Sequence, residues 1–178
     1  MKKTACVLGE ALNLNQFMDI VRFGAEVEFS GDYIKRVEKS REIVEQWIKD
    51  EKVMYGITTG FGALCTHVIS KEETAQLQEN IILSHATSVG QPFNEEEARA
   101  VMLMILQNLG QGYSGVRMLV LEQYRDFLNK GIIPYAPKEG SVGYLSPEAH
   151  MALVLIGQGK AYYKGQLMSG AEALKLAN

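Results

Sequence analysis

The chain is expected to be mostly α, a helical domain with a few short strands. Three observations lead there. Hydrophobic residues make up 47% of its 178 residues, enough to fill a sizeable core. Apolar positions recur at helical spacing in segment after segment. Extended candidates are limited to Cys6–Leu8, Glu26–Phe29 and Ile132–Tyr135, too few for a sheet-based fold. No repeat, low-complexity tract or linker marks a boundary, so residues 1–178 read as a single domain.

Taken in order, the start "MKKTACVLGEALNLNQ" has a basic end, but Gly9, Glu10 and Asn13 break any apolar run before it reaches the length of a signal segment. Ser30 is placed to cap a helix over residues 30 to 49, whose apolar stripe is Ile34, Val37, Ile43, Val44, Trp47 and Ile48. "YGITTGFG", Tyr55 to Gly62, holds three glycines in eight residues and predicts a loop, because glycine inside a helix costs about 0.5–1 kcal/mol relative to alanine. "ENIILSHATSVGQP" ends an apolar helix at Ser84-His85. "NEEEARAVMLMILQNLG" opens on Asn94 and three glutamates, which suit a helix N-terminus, and closes on Gly110. Its middle, Val101 to Leu106, is apolar on every side and needs cover all round, as does Met151 to Ile156. "VRMLVLEQYRDFLNKG" stops at Gly131, a left-handed glycine exit. In "LSPEAHMALVLIG", Ser146 is expected as N-cap with Pro147 at the first helical position.

Composition removes several function classes. The net charge of -3 arises from interspersed acidic and basic residues, which offers no basic stripe to nucleic acid. No segment approaches the ~20 apolar residues needed to span a bilayer. Cys6 and Cys65 lack metal-ligand or disulfide-framework spacing and suit a reducing cytoplasm. His67 reads as a loop residue, and His150 as core packing or a buried hydrogen bond. No partners at matching spacing make either a metal ligand, so no metal is expected. Arg117 reads as a structural arginine that satisfies helix-end carbonyls near Gly112.

Two stretches offer chemistry. The loop from Tyr55 to Gly62 is either a plain connector or a place where backbone approaches a ligand and Tyr55 supplies a phenol for proton transfer. His85, on an apolar helix face, is on spacing alone more often a satisfied core residue than a site residue.

Five segments together change that weighting. "YGITTGFG", "LQENIILSHATSVGQP", "GYSGVR", "GSVG" and "LSPEAHMALVLIGQGKA" occur in an order and spacing that resemble the aromatic amino acid ammonia-lyases and aminomutases, and within them the histidine ammonia-lyases. The resemblance runs from about Leu14 to the C-terminus and covers only the N-terminal portion of that family's fold. It implies elimination of ammonia from L-histidine to give urocanate in a cytoplasmic homotetramer. The family's electrophile is 4-methylidene-imidazol-5-one, made from an internal Ala-Ser-Gly. By the same resemblance Tyr55 stands where the base does, although a phenol of ordinary pKa near 10 needs help to act as one. His85 stands where the substrate side chain is contacted, with Ser84 and Gly62 beside it, and Gly140, Gly143 and Tyr144 flank the cofactor. A histidine at 85 favours an imidazole substrate, since a phenyl ring would leave it unpaired at about 1–3 kcal/mol if buried. Tyrosine or phenylalanine as substrate, and aminomutase chemistry, stay open.

The sequence departs from this pattern in two places. After "GSVG" the family continues with Ala-Ser-Gly-Asp, whereas here Gly143 is followed directly by Tyr144-Leu145-Ser146-Pro147. Either the tripeptide is one fused non-standard group that drops out of a row of standard residues, or it is deleted and no cofactor forms. Tyr144 in place of the aspartate and the unbroken numbering count against the first. Ser141 and Ser146 are no substitutes. The second departure is length: the family's later segments supply a central helical bundle and further active-site groups. The expectation is a fragment, or a short protein serving as a cofactor-less binding or assembly subunit. Its partners would then be a small aromatic amino acid and either further copies or a longer homologous chain.

Overall fold

The computed structural model describes residues 5–60, 71–140 and 145–177. The elements run β1 (Cys6–Leu8), α1 (Leu14–Val21), β2 (Val27–Phe29), α2 (Gly31–Lys49), α3 (Lys71–His85), β3 (Val89–Pro92) and α4 (Glu95–Leu109) in the first half. They continue with α5 (Met118–Lys130), β4 (Ile132–Pro134), β5 (Pro137–Glu139), α6 (Ser146–Leu155), β6 (Lys160–Tyr163), β7 (Gln166–Ser169) and α7 (Gly170–Ala177). The mostly helical expectation is met. Gly62, Cys65 and His67, together with Ser141, Gly143 and Tyr144, lie outside the described residues.

Helix ends follow local chemistry. Ser30 Oγ accepts from Tyr33 N at the start of α2. Asn94 and Glu97 form a reciprocal capping box at the start of α4, as Asn13 and Gln16 do for α1. Gly131 ends α5 at φ 72, ψ 35, the left-handed exit that glycine adopts without a Cβ clash. At α6 the expectation was off by one residue. Leu145 is the N-cap and Ser146 already belongs to the helix, with Pro147 still inside the first turn, where its missing N–H costs nothing.

Helix α4 is the centre of the core. Ala98, Met102, Leu103 and Leu106 are fully buried against Ile20 and Val21 of α1, Leu121, Tyr124, Phe127 and Leu128 of α5, and Met151 and Val154 of α6. Inside this packing Arg99 is 5% exposed, and its guanidinium donates to the carbonyls of Ile20, Val21 and Leu128 at 2.7–3.3 Å. These carbonyls lie at the ends of α1 and α5, where helices leave acceptors unpaired and carry negative partial charge. One arginine therefore fastens three helices, and burial draws its pKa below the ordinary value.

Helix α2 buries Tyr33, Val37 and Val44, while Ile43 is 46% exposed. Ile43 was expected in the stripe. It sits about 100° round the helix from Val44, and the seam narrows to one line there. Tyr33 takes a larger share than its hydroxyl suggested: the phenol donates to Leu106 O at 2.7 Å, and a Cβ on Gly110 would lie 2.0 Å from its ring. Arg36 donates to the carbonyls of Gly110 and Gly9, Arg41 to that of Gly115, and Ser40 Oγ accepts from Gly115 N. These residues hold the turn after α4. Arg117, expected in that role, is the N-cap of α5 and its side chain makes no capping bond.

Strands β1 and β2 pair in parallel, β3 and β5 antiparallel, and β4, β6 and β7 form an antiparallel meander. The β6–β7 hairpin turns through Lys164 and Gly165 at φ 51 and 77, two consecutive left-handed residues as a tight right-twisted hairpin requires.

Candidate functional site

The C-terminal end of α3, the middle of α4, and α5 and α6 wall a groove of about 1240 Å³. Its lining is largely apolar: Ile81 and Ile82 from α3, Val101, Met104 and Ile105 from α4, and Ala149, Ala152 and Leu155 from α6. Met104 is 52% exposed and Ile156 42%, so the all-round cover that their sequences call for is incomplete on this side. Among the lining residues Glu148 carries the one formal charge. Its Oε2 is buried with no hydrogen-bond partner among the described residues, beside the phenol of Tyr124, whose pKa is raised by burial and by Glu148.

His85 lines this groove. Its Nδ1 lies 2.8 Å from Ile81 O and 3.2 Å from Ser84 Oγ. A carbonyl only accepts, so Nδ1 is the donor to Ile81 O, and a neutral ring in this tautomer presents Nε2 as an acceptor. Ser84 Oγ donates back to Ile81 O at 3.1 Å, which turns the hydroxyl onto its own helix. Local helix geometry thus sets the orientation of the His85 ring.

Tyr55 opens a turn over residues 55–58 and is 65% exposed. The loop reading holds for residues 55–60, the described part of the segment. Its two threonines order it: Thr58 Oγ1 accepts from Met54 N and donates to Lys52 O, and the buried Thr59 hydroxyl accepts from Gly56 N and donates to Gly60 O. Tyr55 is not among the residues lining the groove that His85 lines.

Gly140 follows β5 at φ +114, with Ser88 packed against it and Ser88 Oγ 3.5 Å from its carbonyl. His150 Nε2 accepts from Ser88 N at 3.1 Å, a half-buried hydrogen bond where core packing or a buried hydrogen bond was expected. Burial holds its pKa below the ordinary value, and the accepting role itself requires a neutral ring. Among the described residues no cluster of three or more His, Cys, Asp or Glu side chains is placed to hold a metal ion, and no helix is long and apolar enough to cross a membrane.

The fold and site thus define a helical domain that presents a histidine on an incompletely covered apolar groove. The chain belongs to the aromatic amino acid lyase family, whose model matches residues 12–178. It is 46% identical over 172 residues to the histidine ammonia-lyase of Streptococcus sanguinis, covering 95% of this chain and 34% of that protein. Among solved structures it resembles the phenylalanine aminomutase of Pantoea agglomerans, with TM-score 0.91 and 35% identity over 97% of this chain and 34% of the other. The ergothionase of Treponema denticola gives TM-score 0.93 and 29% identity over 98% and 36%. The chain therefore spans about a third of the length of the relatives it matches.

The residues present do not fit the family's methylidene-imidazolone. No Ala-Ser-Gly occurs anywhere in the sequence. Ser-Gly occurs at residues 30–31, 114–115 and 169–170, and each copy has other duties. Ser30 caps α2, Gly115 is held by Ser40 and Arg41, and Ser169 Oγ donates to Glu172 at 2.7 Å. Cyclisation needs a tripeptide free to fold back on itself, and none of these is.

Proposed function

We propose that this chain is the N-terminal, substrate-side portion of a histidine ammonia-lyase-like protein. Its task is to present an imidazole-recognising histidine and an apolar docking groove. The observation that carries the reading is the His85 ring on the groove wall, with Nδ1 committed to Ile81 O and Nε2 left as acceptor. An acceptor there pairs with the N–H of a substrate imidazole, or with a tyrosine hydroxyl, and leaves a phenyl ring without a complement. Identity to histidine ammonia-lyases over 95% of the chain supports histidine over the other two. Elimination of ammonia from L-histidine to give urocanate, with Tyr55 as base, would then need an electrophile that this sequence does not itself supply.

A second reading is favoured by the missing Ala-Ser-Gly: a cofactor-less relative that binds and assembles while a longer homologous chain supplies the electrophile. In both readings the groove is covered by helices of another copy, in a homotetramer as in the family, or of that longer chain. Cysteine usage puts the setting in the cytoplasm, without membrane or nucleic-acid partners.

Calorimetric titration of the full chain with L-histidine and L-phenylalanine tests the recognition. L-Histidine is expected to bind more tightly, and His85→Leu to erase the difference. Equal affinities in the unaltered chain would remove the assignment. Release of urocanate from L-histidine only when a longer homologous chain is added identifies the second reading.

A further inference from the structure

We propose that His150 is a positioning residue: by accepting the Ser88 amide it locks the link between α3 and the β3–β5 ribbon, and so sets where the His85 imidazole stands. The part about substrate contact rests on the function proposed for His85.

Past the end of α3 the backbone donors change partners one by one. Ala86 N still donates to Ile82 O at 3.1 Å, and Thr87 N turns back to His85 O at 2.9 Å. Ser88 comes next and is buried at 8% exposure. Its N–H donates to no carbonyl but to the Nε2 of a side chain 62 residues away. Immediately beyond, β3 joins β5 through Val89 opposite Glu139 and Pro92 opposite Pro137. An enclosed N–H needs a partner, and among the described residues His150 is the one that accepts from the Ser88 amide, with Ser88 Oγ reaching the Gly140 carbonyl at 3.5 Å as a weaker tie.

A second tie runs along α3, where Gln158 Nε2 donates to Glu79 Oε1 at 2.6 Å. His85 lies between the two anchors, six residues after Glu79 and three before Ser88. With the Ser88 amide anchor lost, the helix end that carries His85 keeps its packing on α6 and the tie at Glu79 but loses the polar fix on its far side. The same corner packs on Gly140: an added Cβ there would meet Ser88 Cα at 3.4 Å, ordinary van der Waals contact. One imidazole thus couples the placement of His85 to that of the turn leaving β5.

The role is specific to an acceptor at the Nε2 position, so glutamine, whose Oε1 reaches a similar place, should preserve it and leucine should not. The test uses the full chain as wild type, His150→Gln and His150→Leu, read by imidazole ¹⁵N resonances, amide exchange at Ser88 and titration with L-histidine. In the wild type, Nε2 of His150 is expected unprotonated and Nδ1 protonated. The glutamine variant should keep Ser88 protection, the His85 ring resonances and L-histidine affinity within about threefold. Leucine should speed Ser88 exchange and weaken L-histidine by about tenfold, the scale of one buried hydrogen bond. A proton on Nε2 of His150, or glutamine shifting the His85 ring and baring Ser88, would overturn the proposal even if the leucine variant does not fold. Unchanged Ser88 exchange in a folded leucine variant would do so too. Wild type that ignores L-histidine while these ring and amide signatures hold refutes the functional reading and leaves the positioning role standing.

Discussion

Replacing Met104 by glutamate should separate self-association from folding. Met104 lies at the centre of the one open side of α4, is 52% exposed, and lines both the large groove and a smaller one formed with Leu12, Leu14 and Phe17. Burying the remaining half of its side chain against another chain is worth about 1 kcal/mol, half of what a fully buried methionine contributes. A glutamate enclosed there without a partner costs at least about 2 kcal/mol more. The sum, about 3 kcal/mol, weakens association by about two decades. Its neighbour Leu103 is fully buried, so Leu103→Glu puts a bare charge into the core and should unfold the chain. Sedimentation velocity at micromolar concentration, with circular dichroism on the same samples, reads both effects. The expected pattern is an oligomeric wild type, a folded Met104→Glu monomer and an unfolded Leu103→Glu. A folded wild-type monomer that Met104→Glu leaves unchanged would refute the argument that this side seeks a partner chain.

Other outcomes follow from the core and its polar contacts. Arg99→Met leaves three helix-end carbonyls buried and unpaired, and should lower the free energy of unfolding in urea by about 3 kcal/mol; a loss under about 1 kcal/mol would contradict the fastening role. Gly110→Ala drives a methyl into the Tyr33 ring, and thermal melting should fall by several degrees, whereas an unchanged midpoint would show that α2 yields freely. His150 has a folded pKa below its ordinary 6.5, so both states are neutral above that value and stability is full there. On acidification the unfolded chain takes up the proton first, and stability should drop from about pH 6.5 downward until the folded ring protonates. His150→Gln should flatten that part of the urea-midpoint profile, and an identical slope in the variant would assign the effect elsewhere.

Local chemistry was the legible part of this fold. Ser30, Asn94 and Gly131 act at helix ends as their side chains or lack of one dictate, and Cys6–Leu8 was found as an extended piece in full. What stayed hidden depends on distant neighbours. Strands β3 and β5 contain Gly90, Pro92 and Pro137, residues that argue against strands unless each has the other to lie beside. Lys164 adopts a left-handed conformation that lysine rarely signals, which concealed the β6–β7 hairpin. Nothing local marks Arg99 as buried, because the carbonyls that receive it come from Ile20, Val21 and Leu128. At the site, His85 was singled out by its motif, and the geometry adds its tautomer. The Ser88–His150 pair could not be read, since nothing in either segment names the other. Arg117 drew attention for a task that Arg36 and Arg41 perform from α2, on the far side of the same turn.

Whether the chain carries the family's electrophile is the central question, and intact mass measures it directly. The account holds that Gly143 is joined to Tyr144 without an intervening Ala-Ser-Gly, so the purified chain should weigh the 19.8 kDa of its written sequence. An excess equal to alanine, serine and glycine residues less two waters would show the tripeptide present in cyclised form. It would then contradict the reading of this chain as a substrate-side portion without its own electrophile.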